Sequence, residues 1–208
     1  MDSNRSKALL RCGMLAGPFY LAVGLLQARL REGFDVTRHP LSVLALGPGG
    51  WIQTANFVIT GLMVIAAAVG FGRALAWKPR ALTWFLAGFG LCMIVAAIFP
   101  SDPMDGFPPG TPEGPPTSIS TTGLVHFASG ALGFACLAIS CFIAARTMWR
   151  RHAPSFAWLS LLSGLAVVLG FFGGMAFPWG IWGIWFAVVE GWAWLALMSV
   201  RLSSSIRG

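Results

Sequence analysis

Six apolar stretches recur along this chain, near residues 8–28, 52–76, 81–100, 122–145, 156–177 and 181–200. Each is long enough to cross a hydrocarbon core of about 30 Å, which takes roughly 20 residues at 1.5 Å per residue. The expected architecture is therefore all-α, a polytopic six-helix membrane bundle forming one transmembrane domain over residues 1–208. The rest of the composition agrees: 56% of residues are hydrophobic and only 10% are charged, outside the range of ordinary soluble domains.

The basic residues orient the bundle. With both termini in the cytoplasm, Arg5, Lys7 and Arg11 fall inside, followed by Arg73, Lys78 and Arg80, then Arg146, Arg150 and Arg151, and finally Arg201 and Arg207. That is the positive-inside pattern, and it accounts for most of a net charge of +7 that would otherwise suggest nucleic acid. No water-facing basic patch exists for nucleic acid to bind. The first stretch follows Arg5, Lys7 and Arg11, but it is too long for a signal h-region and lacks a small-x-small cleavage site, so it reads as a retained span. A bacterial plasma membrane fits this pattern.

Three arginines break the rule: Arg29, Arg31 and Arg38 lie in or beside "REGFDVTRHPLSVLALGPGGWIQ", residues 31–53, on the outer side. A second long outer connector, "SDPMDGFPPGTPEGPPTSISTT", has six prolines and no Lys or Arg, so its backbone is extended or turned. The third outer connector is a tight turn around FPWG, which makes the last two spans antiparallel neighbours. Trp51, Trp179, Trp182 and Trp185 near the outer boundary, and Trp77, Trp84, Trp149 and Trp158 near the inner one, read as aromatic belts. Gly13-x-x-x-Gly17 and Gly170-x-x-x-Gly174 let helices approach closely, within the chain or between copies in an oligomer. Spans three and five share a faint echo, ending AAIFP and GMAFP, too weak to define a repeat. Cys12, Cys92, Cys136 and Cys141 fall in spans with no CxxC pair and read as buried thiols, neither a disulfide framework nor a zinc site.

Chemistry is concentrated at the outer side. Pro40 and GPGG bracket a short helix in which Leu41, Leu44 and, less regularly, Leu46 share one side, with Ser42 and Ala45 on the flank. Ser42 is placed to satisfy free helix N–H groups or, alternatively, to orient or attack a substrate. Glu32 and Asp35 can form surface ion pairs with Arg31 and Arg38; equally, Arg31 and Arg38 can grip an anionic head with their guanidinium forks, aided by His39 and Asp105. His126 lies about one turn into the fourth span, near the level of Asp35, His39, Ser42, Asp102 and Asp105. It reads as a packing residue or as a general base with Asp35 or Asp102 beside it. No metal-binding spacing and no cofactor motif is present. Glu190 is the acidic residue deep in a span, close to the midplane, with Ser160 and Ser163 as candidate partners.

Taken together, "GFDVTRHPLSVLALGPGGWIQTANFVITG", "FPSDPMDGFPPGTP" and the histidine of "GLVHF" resemble the DUF998 family of six-span bacterial membrane proteins. The resemblance runs through nearly the whole chain and is densest in the two long connectors. It implies fold, topology and membership, and it sets Asp35, His39, Ser42, Asp102 and His126 in the motif-bearing part without assigning them a role. Two functions follow from the residues. One is an outer-leaflet site that binds, and can process, a membrane lipid or other amphiphile; the other is a small proton-linked transporter or accessory subunit built on Glu190.

Overall fold

Helix boundaries in this chain are set by local chemistry. The computed structural model describes residues 3–116, 118–174 and 180–206; Trp179, Arg207 and most of the FPWG turn and GMAFP ending lie outside them. The helices are α1 (Ser3–Leu30), α2 (Trp51–Ala74), α3 (Arg80–Ile98), α4 (Thr121–Arg150), α5 (Pro154–Val168) and α6 (Gly180–Ser205). A π-helical turn, Leu169–Gly173, prolongs α5. Six helices, counting this extension, are long and apolar enough to cross a membrane, and the described residues form no strand. Pro154 opens α5, where a missing N–H costs nothing. Ser120 caps α4, its hydroxyl accepting from the Gly123 N–H at 3.0 Å.

Each helix packs on its neighbours in sequence and α6 returns to α1, so the six close into a ring, with α2 also reaching α6. In lipid, where tails are as apolar as leucine, such contacts depend on close backbone approach rather than on the hydrophobic effect. Glycine supplies it. A Cβ on Gly17 would lie 2.5 Å from Trp192 Cβ, and one on Gly61 would lie 2.6 Å from the Gly90 carbonyl oxygen. Gly170 and Gly174 likewise face Gly183 across the α5–α6 seam. Both glycine motifs are thus occupied by contacts inside the chain.

The two ends of the ring differ. Opposite the long connectors its middle is filled by Leu10, Phe71, Trp194, Leu195 and Met198, all fully buried. Trp194 anchors this plug, its indole N–H donating to Ser160 Oγ at 3.0 Å. The end bearing the long connectors, called the loop end below, is organised around a cavity.

Candidate functional site: a roofed cavity at the loop end

The roof begins where α1 ends. Residues 35–39 form a tight turn, with the His39 N–H bonded to the Asp35 carbonyl at 2.8 Å. Asp35 Oδ1 accepts from the Thr37 hydroxyl at 2.7 Å and from the Thr37 N–H at 2.8 Å. These two bonds hold its carboxyl below the usual carboxylate range.

The next segment dips into the bundle. Leu41–Ala45 is a 3-10 helix with Leu41, Val43 and Leu44 buried. Leu41 fills a notch on α1 that exists because residue 24 is glycine: a Cβ there would stand 2.6 Å from Leu41 Cδ1. Leu46 packs partly buried against the core, but from beyond the end of the helix. The backbone becomes extended at Leu46 and turns at Gly47, whose φ of +67° suits glycine. Ser42 caps nothing: its hydroxyl makes no hydrogen bond among the described residues, and the residue lines the cavity.

Arg31 and His39 fasten this lid. Arg31 donates to the Leu44 carbonyl at 3.1 Å and to the Leu46 carbonyl, closing the 3-10 helix at its C-terminal end. Its guanidinium also lies over the Phe107 ring, 5.3 Å from the centroid. His39 is completely buried between Phe34 and Phe107. Its Nδ1 accepts from the Asp35 N–H at 2.9 Å, so Nε2 carries the proton donated to the Asp105 carbonyl at 3.1 Å. His39 therefore ties the lid to the second connector. Arg38 makes a further tie by pairing with Glu113 of the second connector rather than with Glu32 or Asp35. A third runs to α6, where the Trp185 indole N–H donates to the Val36 carbonyl at 3.0 Å. Trp185, assigned by sequence to the outer belt, also serves as latch and wall.

Beneath this roof lies a cavity of about 1040 Å³, at the upper end of the usual range for ligand sites. Arg38, Ser42, Asp102 and Asp105 border it near the loops, and Tyr20, His126 and Ser129 border it further in. Its apolar part is walled by Phe57, Phe89, Phe134, Phe171 and Trp192. Phe134 and Phe171 stack at 4.1 Å and 18°, closing the seam between α4 and the π-helical turn. Arg31, Asp35 and His39 do not line the cavity. They build its lid, so the structure divides the sequence-chosen residues into a lining set and a supporting set.

Within the lining set, His126 is oriented most definitely. Its Nδ1 lies 2.9 Å from the Phe99 carbonyl and 3.2 Å from that of Ala96. Carbonyls only accept, so Nδ1 carries a proton, and in the neutral ring Nε2 keeps a lone pair. Nε2 has no partner among the described residues. Asp102 stands at the N-terminus of α4, accepting from the Ser120 N–H at 3.1 Å and packed on Gly123. A carboxylate is favoured there by the helix dipole.

Glu190 belongs elsewhere. It accepts a 2.6 Å hydrogen bond from Ser163 across the α5–α6 seam and does not line the cavity. Ser160, its other candidate partner, is engaged with Trp194 and Met198. The described residues contain no group of three or more His, Cys, Asp and Glu side chains arranged for a metal.

Sequence reasoning passed over a polar seam between α1 and α2. Gln27 donates to Gln53 Oε1 at 2.9 Å, Asn56 to the same oxygen at 3.1 Å and to the Tyr20 carbonyl at 3.1 Å, and Thr60 to Asn56 at 3.3 Å. The signal was available: amides inside apolar spans need partners. Tyr20, the sole tyrosine of the chain, joins this seam to the cavity wall. Glu113 was also missed, because it reaches Arg38 from a connector 75 positions away.

Fold and site together define a class: an all-helical membrane-type protein whose ring of six apolar helices encloses a cavity roofed by two structured connectors. The chain belongs to the family described as "Protein of unknown function (DUF998)", whose model matches residues 14–201. Neither a curated protein nor a solved structure matches it.

Proposed function

We propose that this protein binds an amphiphile, a membrane lipid or a molecule of similar build, in the cavity at the loop end. The polar head would lie under the two connectors and the chain among the aromatic walls. The observation that carries this reading is the gradation within one cavity of about 1040 Å³, from Asp102, Asp105, Arg38 and Ser42 at one end to Phe89, Phe134 and Phe171 in its apolar part. Such a gradient matches a molecule with a head and a tail. From the distribution of arginine and lysine, we place the loop end on the outer side of a bacterial plasma membrane, facing the outer leaflet. His126, with Nε2 free, is the group suited to take a proton from a bound ligand, so any processing step would be centred there. A proton path through Glu190 draws less support, because Glu190 is hydrogen-bonded in a helix seam away from the cavity.

Gly130 provides the test. It lines the cavity, and a Cβ placed on it meets only Phe171 Cζ, at 4.0 Å, so Gly130→Phe should fill the cavity without forcing helices apart. A photoreactive decanol analogue added to the protein in phosphatidylcholine nanodiscs should label cavity residues of α4 and α6. In Gly130→Phe this labelling should fall by about tenfold, equivalent to about 1.4 kcal/mol, with little change in the unfolding temperature. Labelling that persists in a folded Gly130→Phe protein would place the binding site elsewhere.

A further inference from the structure

The charge of the ligand can be argued from which polar groups around the cavity are already engaged. We infer that the cavity selects a head carrying positive charge and hydrogen-bond donors, an amine or quaternary ammonium, over a phosphate or carboxylate head; this rests on the amphiphile reading above. The outer arginines suggest the opposite when read in sequence. In the structure neither is available: Arg31 is spent on the Leu44 and Leu46 carbonyls outside the cavity wall, and the charge of Arg38 is matched by Glu113. No other Arg or Lys lines the cavity among the described residues.

What faces the ligand is a set of acceptors. Asp105 lines the cavity, and its carboxylate, within Coulombic reach of Arg38, makes no hydrogen bond among the described residues. Asp102 receives a single one, from the Ser120 N–H on Oδ2, leaving Oδ1 free. His126 presents a lone pair at Nε2, because its proton is fixed on Nδ1 by the Ala96 and Phe99 carbonyls. The Ser101 hydroxyl, also in the lining, is buried and has no partner among the described residues. The neighbouring hydroxyl of Ser129 donates to the His126 carbonyl. An anionic head here would meet two carboxylates with no unpaired arginine or lysine among the described residues to offset them, and like-charge juxtaposition of this kind is unfavourable. A cationic head meets the carboxylates directly and has the aromatic side chains of Trp185 and Tyr20 in the same wall.

The decanol photolabelling assay tests this by competition. Decyltrimethylammonium, decanol and decanoate share a chain and differ in head. Decyltrimethylammonium should suppress cavity labelling at a concentration at least about tenfold below that required of decanoate, with decanol between them. Asp105→Asn, at a position that caps no helix, should shrink that ratio to near that of the neutral competitor; Asp102→Asn should act likewise, with thermal unfolding as the check that α4 stays capped. If decanoate competes as well as or better than decyltrimethylammonium, while Gly130→Phe still abolishes labelling, the charge inference is overturned and the cavity reading stands. An unchanged ratio in folded Asp105→Asn and Asp102→Asn proteins also overturns it. If Gly130→Phe leaves labelling untouched, both readings fall.

Discussion

The loop end and the opposite end of this ring use the same helices for different purposes. Away from the loops, Leu10, Phe71, Trp194 and Met198 fill the centre completely, and the Trp194 indole N–H is paired with Ser160. Toward the loops the same helices border a cavity, and the Asp105 carboxylate, the Ser101 hydroxyl and His126 Nε2 have no hydrogen-bond partner among the described residues. A buried polar group without a partner costs on the order of 1–3 kcal/mol, so the Ser101 hydroxyl gives up stability at the cavity. Interiors arranged this way are the ones suited to take a ligand.

The contrast can be broken most severely at Trp194. Trp194→Ala should destabilise by about 3–5 kcal/mol, whereas Phe134→Ala, at a half-buried ring already bordering the cavity, should cost about 1–2 kcal/mol. Thermal unfolding of both variants in one detergent measures the difference, and equal losses would mean that the two ends are packed alike.

The lid offers the next test. His39→Ala leaves the Asp35 N–H and the Asp105 carbonyl without their bonds, for an expected loss of about 2–3 kcal/mol. Hydrogen exchange should rise across residues 34–46 and stay unchanged in α5. Arg38→Ala removes an exposed ion pair and should barely shift the unfolding temperature, less still in high salt.

The α5–α6 seam should respond weakly. Ser163→Ala removes one interhelical bond to Glu190, worth about 0.6 kcal/mol in membrane helices, and should leave amphiphile labelling of the cavity unchanged. A loss of labelling would instead tie Glu190 to the site. The smallest effect concerns pH. The Thr37 hydroxyl and N–H bonds hold the Asp35 carboxyl below its ordinary range, so its contribution is complete above the unfolded value of about 3.9 and is lost as pH falls through the lower folded value. The unfolding temperature should show no Asp35-dependent change between pH 7 and pH 5, and Asp35→Asn should flatten part of any fall below pH 4.

Residues that act through their immediate neighbours were readable in the sequence. The short helix after Pro40 was visible in its leucines, and Ser163 was a foreseeable partner for Glu190 because the two helices are consecutive. Arg31, Arg38 and Trp185 were read differently because their partners come from distant parts of the chain: the carbonyls of a folded-back lid, Glu113 on the other connector, and Val36 across the ring. Composition and position identify a side chain as charged or amphipathic but do not say what will already have claimed it.

Sequence by itself determined the six apolar helices, because span length and hydropathy are local properties of a chain meeting lipid. It also singled out the two connectors, whose prolines, glycines and charges cannot continue a helix through a membrane. Only the tertiary structure decided that the helices close into a ring, that the ring is filled at one end and hollow at the other, and that the arginines face backbone and Glu113 while the carboxylates face the cavity. The physical reason is that hydrogen bonds and ion pairs are exclusive and short-ranged, so which group remains free for a ligand depends on contacts between residues far apart in the chain.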